Sequence, residues 1–193
     1  MRKRKIAVLI SGSGSNLQAL IDATQAADFP AQIELVISNK PDAYGLLRAQ
    51  QAKIATQVIN HKDYATRQAF DAALQKSLET AQIEIVCLAG FMRLLTSELV
   101  NQWQGRMLNI HPSLLPAFKG AHAIADALAA GAKETGCTVH YVVPEMDAGP
   151  VLVQAKVAIL PGDTQDTLAA RIHAQEHIIY PQALKKLALS LAD

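Results

Sequence analysis

Along this chain short apolar runs alternate with segments of helical period. Lys5–Ile10 reads as a strand buried on both faces, since its apolar positions are continuous rather than alternating. A glycine-rich turn leads from it into a helix over Asn16–Ala27, followed by a strand at Ile33–Ile37 and a short helix at Ala43–Gln51. A third strand at Ala55–Ile59, a helix over Lys62–Leu78 and a fourth strand at Ile83–Leu88 continue the alternation. Strands alternating with helices predict a parallel sheet covered on both faces. The rhythm then changes. Met107–Ile110 is a further strand, whereas Thr138–Val143 and Val151–Ile159 are separated only by the turn-like Pro144–Pro150, which predicts an antiparallel pair. A final helix starts near Thr164, with Asp163 as its cap, and runs towards Leu191 with an interruption at Pro181. The predicted fold is a single-domain α/β, Rossmann-like, mostly parallel twisted sheet, with helices on both faces and an antiparallel strand pair added in the C-terminal half.

Composition adds limits. A chain of 193 residues, 50% hydrophobic, can bury one sizeable core and is most simply a single domain over 1–193. Within it, 1–103 is expected to form a phosphate-binding half and 104–193 a catalytic half. With 18 basic and 17 acidic residues the net charge is +1, so nucleic acid is not the default partner. The cluster Arg2-Lys3-Arg4-Lys5 reads as a solvated tail before the first strand. Its apolar continuation is too short for a signal sequence, and no stretch reaches the ~18 apolar residues of a membrane span. Cys87 and Cys137 sit in apolar surroundings and read as buried free thiols. Together these features predict a cytoplasmic protein.

The candidate chemistry gathers at strand ends, where ligands bind in such sheets. In Asn109-Ile110-His111-Pro112, residues i and i+2 of an extended segment point the same way, so an amide and an imidazole can converge on one small group. An amide donor beside a group able to release a proton near neutral pH suits a developing oxyanion. Ser11-Gly12-Ser13-Gly14-Ser15-Asn16 lets the backbone approach an anion at a helix start. Leu17 stands where the dinucleotide fingerprint has its third glycine, and no acid closes the second strand, which ends Ser38-Asn39-Lys40. A terminal monophosphate is therefore favoured over a dinucleotide. Asp147 lies in the turn at Pro144–Pro150. It serves equally as an ordinary turn former or as a carboxylate that orients His111 and favours its charged form, and the loop alone leaves both readings open. On the last helix His173-Ala174-Gln175-Glu176-His177 matches an inverted zinc-protease pattern, but only Asp193 follows as a third ligand, so zinc is the weaker reading. His61 reads as a loop or helix-start residue, and His140 as a strand residue facing a neighbour. His122, in the glycine-flanked segment 119–122, reads as a surface residue of a loop that can close over a ligand.

Taken in order, Ser11–Asn16, Gly90-Phe91-Met92-Arg93-Leu94-Leu95, Asn109–Pro116 and Asp147-Ala148-Gly149-Pro150 closely resemble the phosphoribosylglycinamide formyltransferases, folate-dependent enzymes of purine synthesis. The resemblance covers essentially the whole length. It implies that Asn109, His111 and Asp147 are the catalytic set. It places Gly14, Ser15 and Asn16 on the ribonucleotide phosphate and Glu176 near its ribose. It implies that Arg67, Met92, Arg93, Leu94, Leu95, Asn109, Val143, Pro144, Glu145, Met146 and Asp147 contact 10-formyltetrahydrofolate, the co-substrate, with no metal, and that 104–193 is the folate-binding as well as the catalytic half. Partners are then two small molecules, with neither nucleic acid nor membrane, and the protein is a monomer or homodimer. Related hydrolases carry an amino-terminal regulatory domain and the transfer-RNA enzymes a carboxyl-terminal barrel. A glycine turn beginning at residue 12 and a helix closing the chain argue against both.

Overall fold

The computed structural model describes residues 2–191. Its strands are β1 (Arg4–Ile10), β2 (Ala31–Ser38), β3 (Ala55–Val58), β4 (Ile85–Leu88), β5 (Met107–His111), β6 (Glu134–Tyr141) and β7 (Val151–Ala158). The helices are α1 (Ser15–Thr24), α2 (Tyr44–Gln51), α3 (Arg67–Thr80), α4 (Ser97–Gln102), α5 (Ala123–Ala129) and α6 (Gln165–Ser190). One seven-stranded sheet runs in the order β3-β2-β1-β4-β5-β6-β7. Pairing is parallel from β3 through β5 and antiparallel for β5–β6 and β6–β7. The predicted class and the added antiparallel pair are both present.

Burial explains the continuous apolar runs. In β1, Ile6, Val8 and Ile10 pack with α1, α2 and α6 on one face, while Ala7 and Leu9 pack with α3 and α4 on the other. Side chains alternate faces, so a strand covered on both sides must be apolar throughout. From β1 the chain passes to β2 and β3 on one side, and from β4 to β5 on the other. The turns leaving β1 and β4 therefore part, and a crevice opens at their carboxyl ends.

Several boundaries differ from the sequence reading, each for a local reason. The basic cluster is not a solvated tail. Arg4 and Lys5 belong to β1, Arg4 is buried and pairs with Glu84 at 2.9 Å, and the Lys3 ammonium donates to the carbonyl of Ala26 at 2.8 Å. Helix α1 stops at Thr24 rather than Ala27. Helix α3 begins at Arg67, not Lys62, because the Thr66 hydroxyl accepts the Ala69 N–H and caps it; His61–Asp63 form a separate 3-10 turn. The cap of α6 is Thr164, in a reciprocal bond with Thr167, while Asp163 pairs with Arg171 and accepts the Leu160 N–H. Nor does Pro181 interrupt α6, which runs through it. Proline in a helix interior costs about 3 kcal/mol. Burial of Ile179, Tyr180, Ala183 and Leu184 on both sides keeps the axis continuous. Strand β6 starts at Glu134 rather than Thr138, and includes Gly136, where a Cβ would lie 1.9 Å from the Ala155 carbonyl oxygen. Helices α4 and α5 were not predicted; both are short and lie in segments to which no helix or strand was assigned. Both cysteines are free and buried. Among the described residues no helix is long and apolar enough to cross a membrane.

Candidate active site

A cleft of about 1000 Å³ opens between the loop after β4, the end of β5 and the excursion between β6 and β7. Arg67, Met92, Arg93, Leu94, Leu95, Asn109, His111 and Val143 through Asp147 all line it. Met92, Leu94 and Met146 expose most or half of their surface there, as apolar walls awaiting a ligand do.

At its inner end the polar groups converge. Asn109 and His111 share one side of β5, as the extended spacing requires, and His111 is buried. The Asp147 carboxylate lies 3.5 Å from His111 Nδ1 through Oδ2 and 3.7 Å from His140 Nε2 through Oδ1. Its Oδ2 also accepts the Gly120 N–H at 2.9 Å. Asp147 adopts φ +51°, left-handed backbone that an Asp tolerates in a turn. Asp147 thus sits in the turn and faces the imidazole. His111 Nε2 lies 2.8 Å from the Phe118 carbonyl oxygen, which can only accept, so Nε2 carries a proton and the Nδ1 edge is left for chemistry.

The sequence reading missed the contribution of His140. It pairs across the antiparallel ladder with Asn109, and its Nδ1–H donates to the Tyr141 carbonyl at 2.9 Å. Its Nε2 therefore accepts the Asn109 Nδ2–H at 3.3 Å. Burial lowers the His140 pKa, with His111 adding to the effect against the Tyr141 carbonyl and Asp147, and the ring stays neutral and accepting. Only the β5–β6 register could have shown this partnership, and register is not visible in either strand alone.

The glycine turn lies beside the cleft. Gly14 caps α1 at φ +71°, and a Cβ there would come within 2.7 Å of Gly45 Cα, so only glycine allows the turn to press against α2. The Gly45 N–H donates to the Gly12 carbonyl at 3.0 Å, and Arg48 Nε to the Ser13 carbonyl at 2.8 Å. Arg48 was not singled out from sequence. Asn16 donates its amide to Glu176 at 2.8 Å across α1 and α6, which brings these two distant residues together; Glu176 is buried and the Asn16 Oδ1 has no partner. Gly14, Ser15, Asn16 and Glu176 are outside the lining of the main cleft. His173 and His177 remain on α6 without a third ligand in place, and among the described residues no group of three metal-ligating side chains forms. Asp193, the one acid after them, lies outside the described residues.

Comparison with known proteins bears on what this arrangement does. The sequence pattern of the formyl transferase family matches residues 4–184. The chain belongs to the formyl transferase family. It is 46% identical over 183 residues to the phosphoribosylglycinamide formyltransferase of Escherichia coli K12, covering 95% of this chain and 86% of that protein. It is 54% identical over 188 residues to the trifunctional purine biosynthetic protein adenosine-3 of Drosophila melanogaster, covering 96% of this chain but only 14% of that protein. The chain thus spans about a seventh of the length of that longer relative. The crystal structure of phosphoribosylglycinamide formyltransferase from Brucella melitensis superposes with a TM-score of 0.93 at 48% identity, over 100% of this chain and 99% of that one.

Proposed function

We propose that this formyltransferase moves the formyl group of 10-formyltetrahydrofolate to the amine of glycinamide ribonucleotide, giving N-formylglycinamide ribonucleotide and tetrahydrofolate in purine synthesis. The observation that carries the reading is the meeting of Asn109, His111 and Asp147 on the wall of a long, partly apolar cleft that adjoins a glycine turn. The cleft suits a flat folate, and the turn suits a phosphate.

In this reading Gly14, Ser15 and Asn16, at the start of α1, hold the ribonucleotide phosphate by backbone and side-chain donors. Glu176 accepts from the ribose hydroxyls. The folate lies along Arg67, Met92 to Leu95 and Val143 to Asp147. Residues 1–103 carry the phosphate side and 104–193 the catalytic groups, while the folate cleft draws on both.

An amine of pKa about 8 is roughly one-tenth neutral at pH 7, so attack on the formyl carbon needs no strong base. The demanding step is the tetrahedral intermediate. The Asn109 amide has two N–H groups; His140 takes one, and the other is left to the oxyanion. In its doubly protonated form His111, with Nε2–H on the Phe118 carbonyl, supplies the second donor through Nδ1–H, shared with Asp147. Such contacts are long before substrate arrives and tighten with it. Asp147 holds the imidazole and, through water, carries a proton from the attacking amine to the departing folate nitrogen. The bond to the folate nitrogen then breaks, and no covalent enzyme intermediate forms.

The test is an absorbance assay of formyl-folate consumption with and without glycinamide ribonucleotide. Consumption that requires the ribonucleotide supports the reading. Equal consumption without it indicates water as acceptor, and no consumption in either case overturns the proposed donor.

A further inference from the structure

The loop between β4 and α4, residues 89–96, forms one wall of the cleft, yet it has almost no backbone support of its own. Among the described residues, none from Gly90 to Thr96 donates its N–H to a backbone carbonyl. Two of these groups instead end on buried side chains from elsewhere in the fold. The Met92 N–H donates to Ser11 Oγ at 2.8 Å, and the Thr96 N–H to Asp71 Oδ2 at 2.6 Å.

Neither acceptor is an accident of packing. Ser11 is 5% exposed and sits at the end of β1, immediately before the glycine turn. Its hydroxyl proton goes to Asn39 Oδ1 at 2.5 Å, and Asn39, 1% exposed, reaches His61 Nδ1 through its amide at 3.2 Å. The serine lone pair is therefore directed at Met92. Asp71 is 3% exposed on α3, and its second carboxylate oxygen is buried without a partner. A carboxylate so placed depends on the Thr96 N–H, because a buried polar group without a bond is costly.

We propose that Ser11 and Asp71 are positioning residues for the folate co-substrate. They set the loop against the cleft at two points, and Ser11, shared with the phosphate turn, makes folate affinity depend on occupancy of that turn. The inference rests on the folate reading above. Between the two pins lie Met92, 69% exposed, and Leu94, 60% exposed, the side chains a folate ring would cover. With both ends fixed, these side chains meet the ligand without first being ordered, which lowers the cost of binding. Ser11 contributes no side chain to the cleft and acts only through the Met92 backbone.

The experiment measures steady-state kinetics, folic acid binding by calorimetry and amide hydrogen exchange on Asp71→Ala, Asp71→Asn and Ser11→Ala. Loss of one such bond is expected to raise the KM for formyl-folate up to about tenfold in Asp71→Ala. The KM for the ribonucleotide and kcat stay close to wild type, and Asp71→Asn, which keeps an oxygen for Thr96, restores folate binding. Wild-type affinity for folic acid is expected to rise when ribonucleotide is present, and Ser11→Ala abolishes that rise. Exchange of the Met92 and Thr96 amides accelerates in the corresponding alanine variants. Unchanged exchange, or equal loss in every kinetic constant with no rescue by Asp71→Asn, overturns the positioning role. Identical wild-type affinity with and without ribonucleotide overturns the coupling. Failure of wild-type protein to bind folic acid while the exchange effects persist counts against the donor assignment, not against the two pins.

Discussion

Replacing Asn109 by alanine tests the site at its most demanding point, since two separate losses follow from one change. The first is catalytic. If one amide N–H is held by His140 Nε2 at 3.3 Å and the other meets the oxyanion, its removal lowers kcat by about 100- to 1000-fold. The second is structural. His140 is 2% exposed and its Nδ1–H is already committed to Tyr141, so Nε2 loses its amide donor inside the protein. That costs about 1–3 kcal/mol. For a domain of this size the melting temperature falls by about 2–12 °C. Single-turnover formyl transfer measures the first loss and thermal unfolding the second, with folic acid binding as the control that the cleft survives. A variant that turns over within about threefold of wild type, or that loses activity only in proportion to folate binding, refutes the assignment of Asn109 to the oxyanion.

Other consequences are open to direct measurement. Burial holds the His140 pKa below its ordinary value, so its contribution to stability is complete above pH ~6.5 and is lost as pH falls through the folded pKa. His140→Gln, which keeps an acceptor for Asn109, should flatten the decline of urea midpoint between neutral and acidic pH; an unaltered decline assigns it to other groups. Gly149→Ala places a Cβ 1.7 Å from the Tyr141 carbonyl oxygen, forcing the backbone beside Asp147 to move. It should lower stability by about 1–3 kcal/mol, read by urea unfolding, and turnover with it. Glu176→Gln replaces the buried carboxyl group that accepts from Asn16 and should raise the ribonucleotide KM roughly tenfold, leaving that for formyl-folate unchanged. A rise in both constants would move Glu176 from the ribose to a general structural role.

The parallel core was legible because strands buried on both faces have to be apolar throughout, and β1 from Ile6 onward and β4 are so written. Asn109 and His111 were legible as a pair because strand geometry alone puts them on one side. Asp147 was ambiguous in isolation, and only folding of the Pro144–Pro150 excursion against β5 and β6 gives it neighbours. His140 and Phe118 were not readable: one contributes through cross-strand register, the other through a backbone carbonyl that any residue type provides. The pins at Ser11 and Asp71 were hidden for a related reason, since their partners are amide groups 81 and 25 positions away. Thr164 displaced Asp163 as the cap of α6 because Arg171 claimed the aspartate, a choice between neighbours that residue preference does not decide.

Asn109 and His140 face one another across antiparallel strands, so the composition of this site is fixed by parity. Sliding β6 by a single residue along β5 would turn its opposite face inward, bringing Val139 or Tyr141 where the imidazole belongs, and no side-chain adjustment could repair the exchange. In the chain joining the two strands, the Phe118 carbonyl and the Gly120 N–H are tied to His111 and Asp147, and the positions away from them are under no such restriction. Provided that the ladder closes in the same register and those two backbone groups keep their places, the rest of this stretch can lengthen, shorten or change composition while the reacting groups stay where they are. A lineage or a designer could thus reshape access to the site through that connection alone.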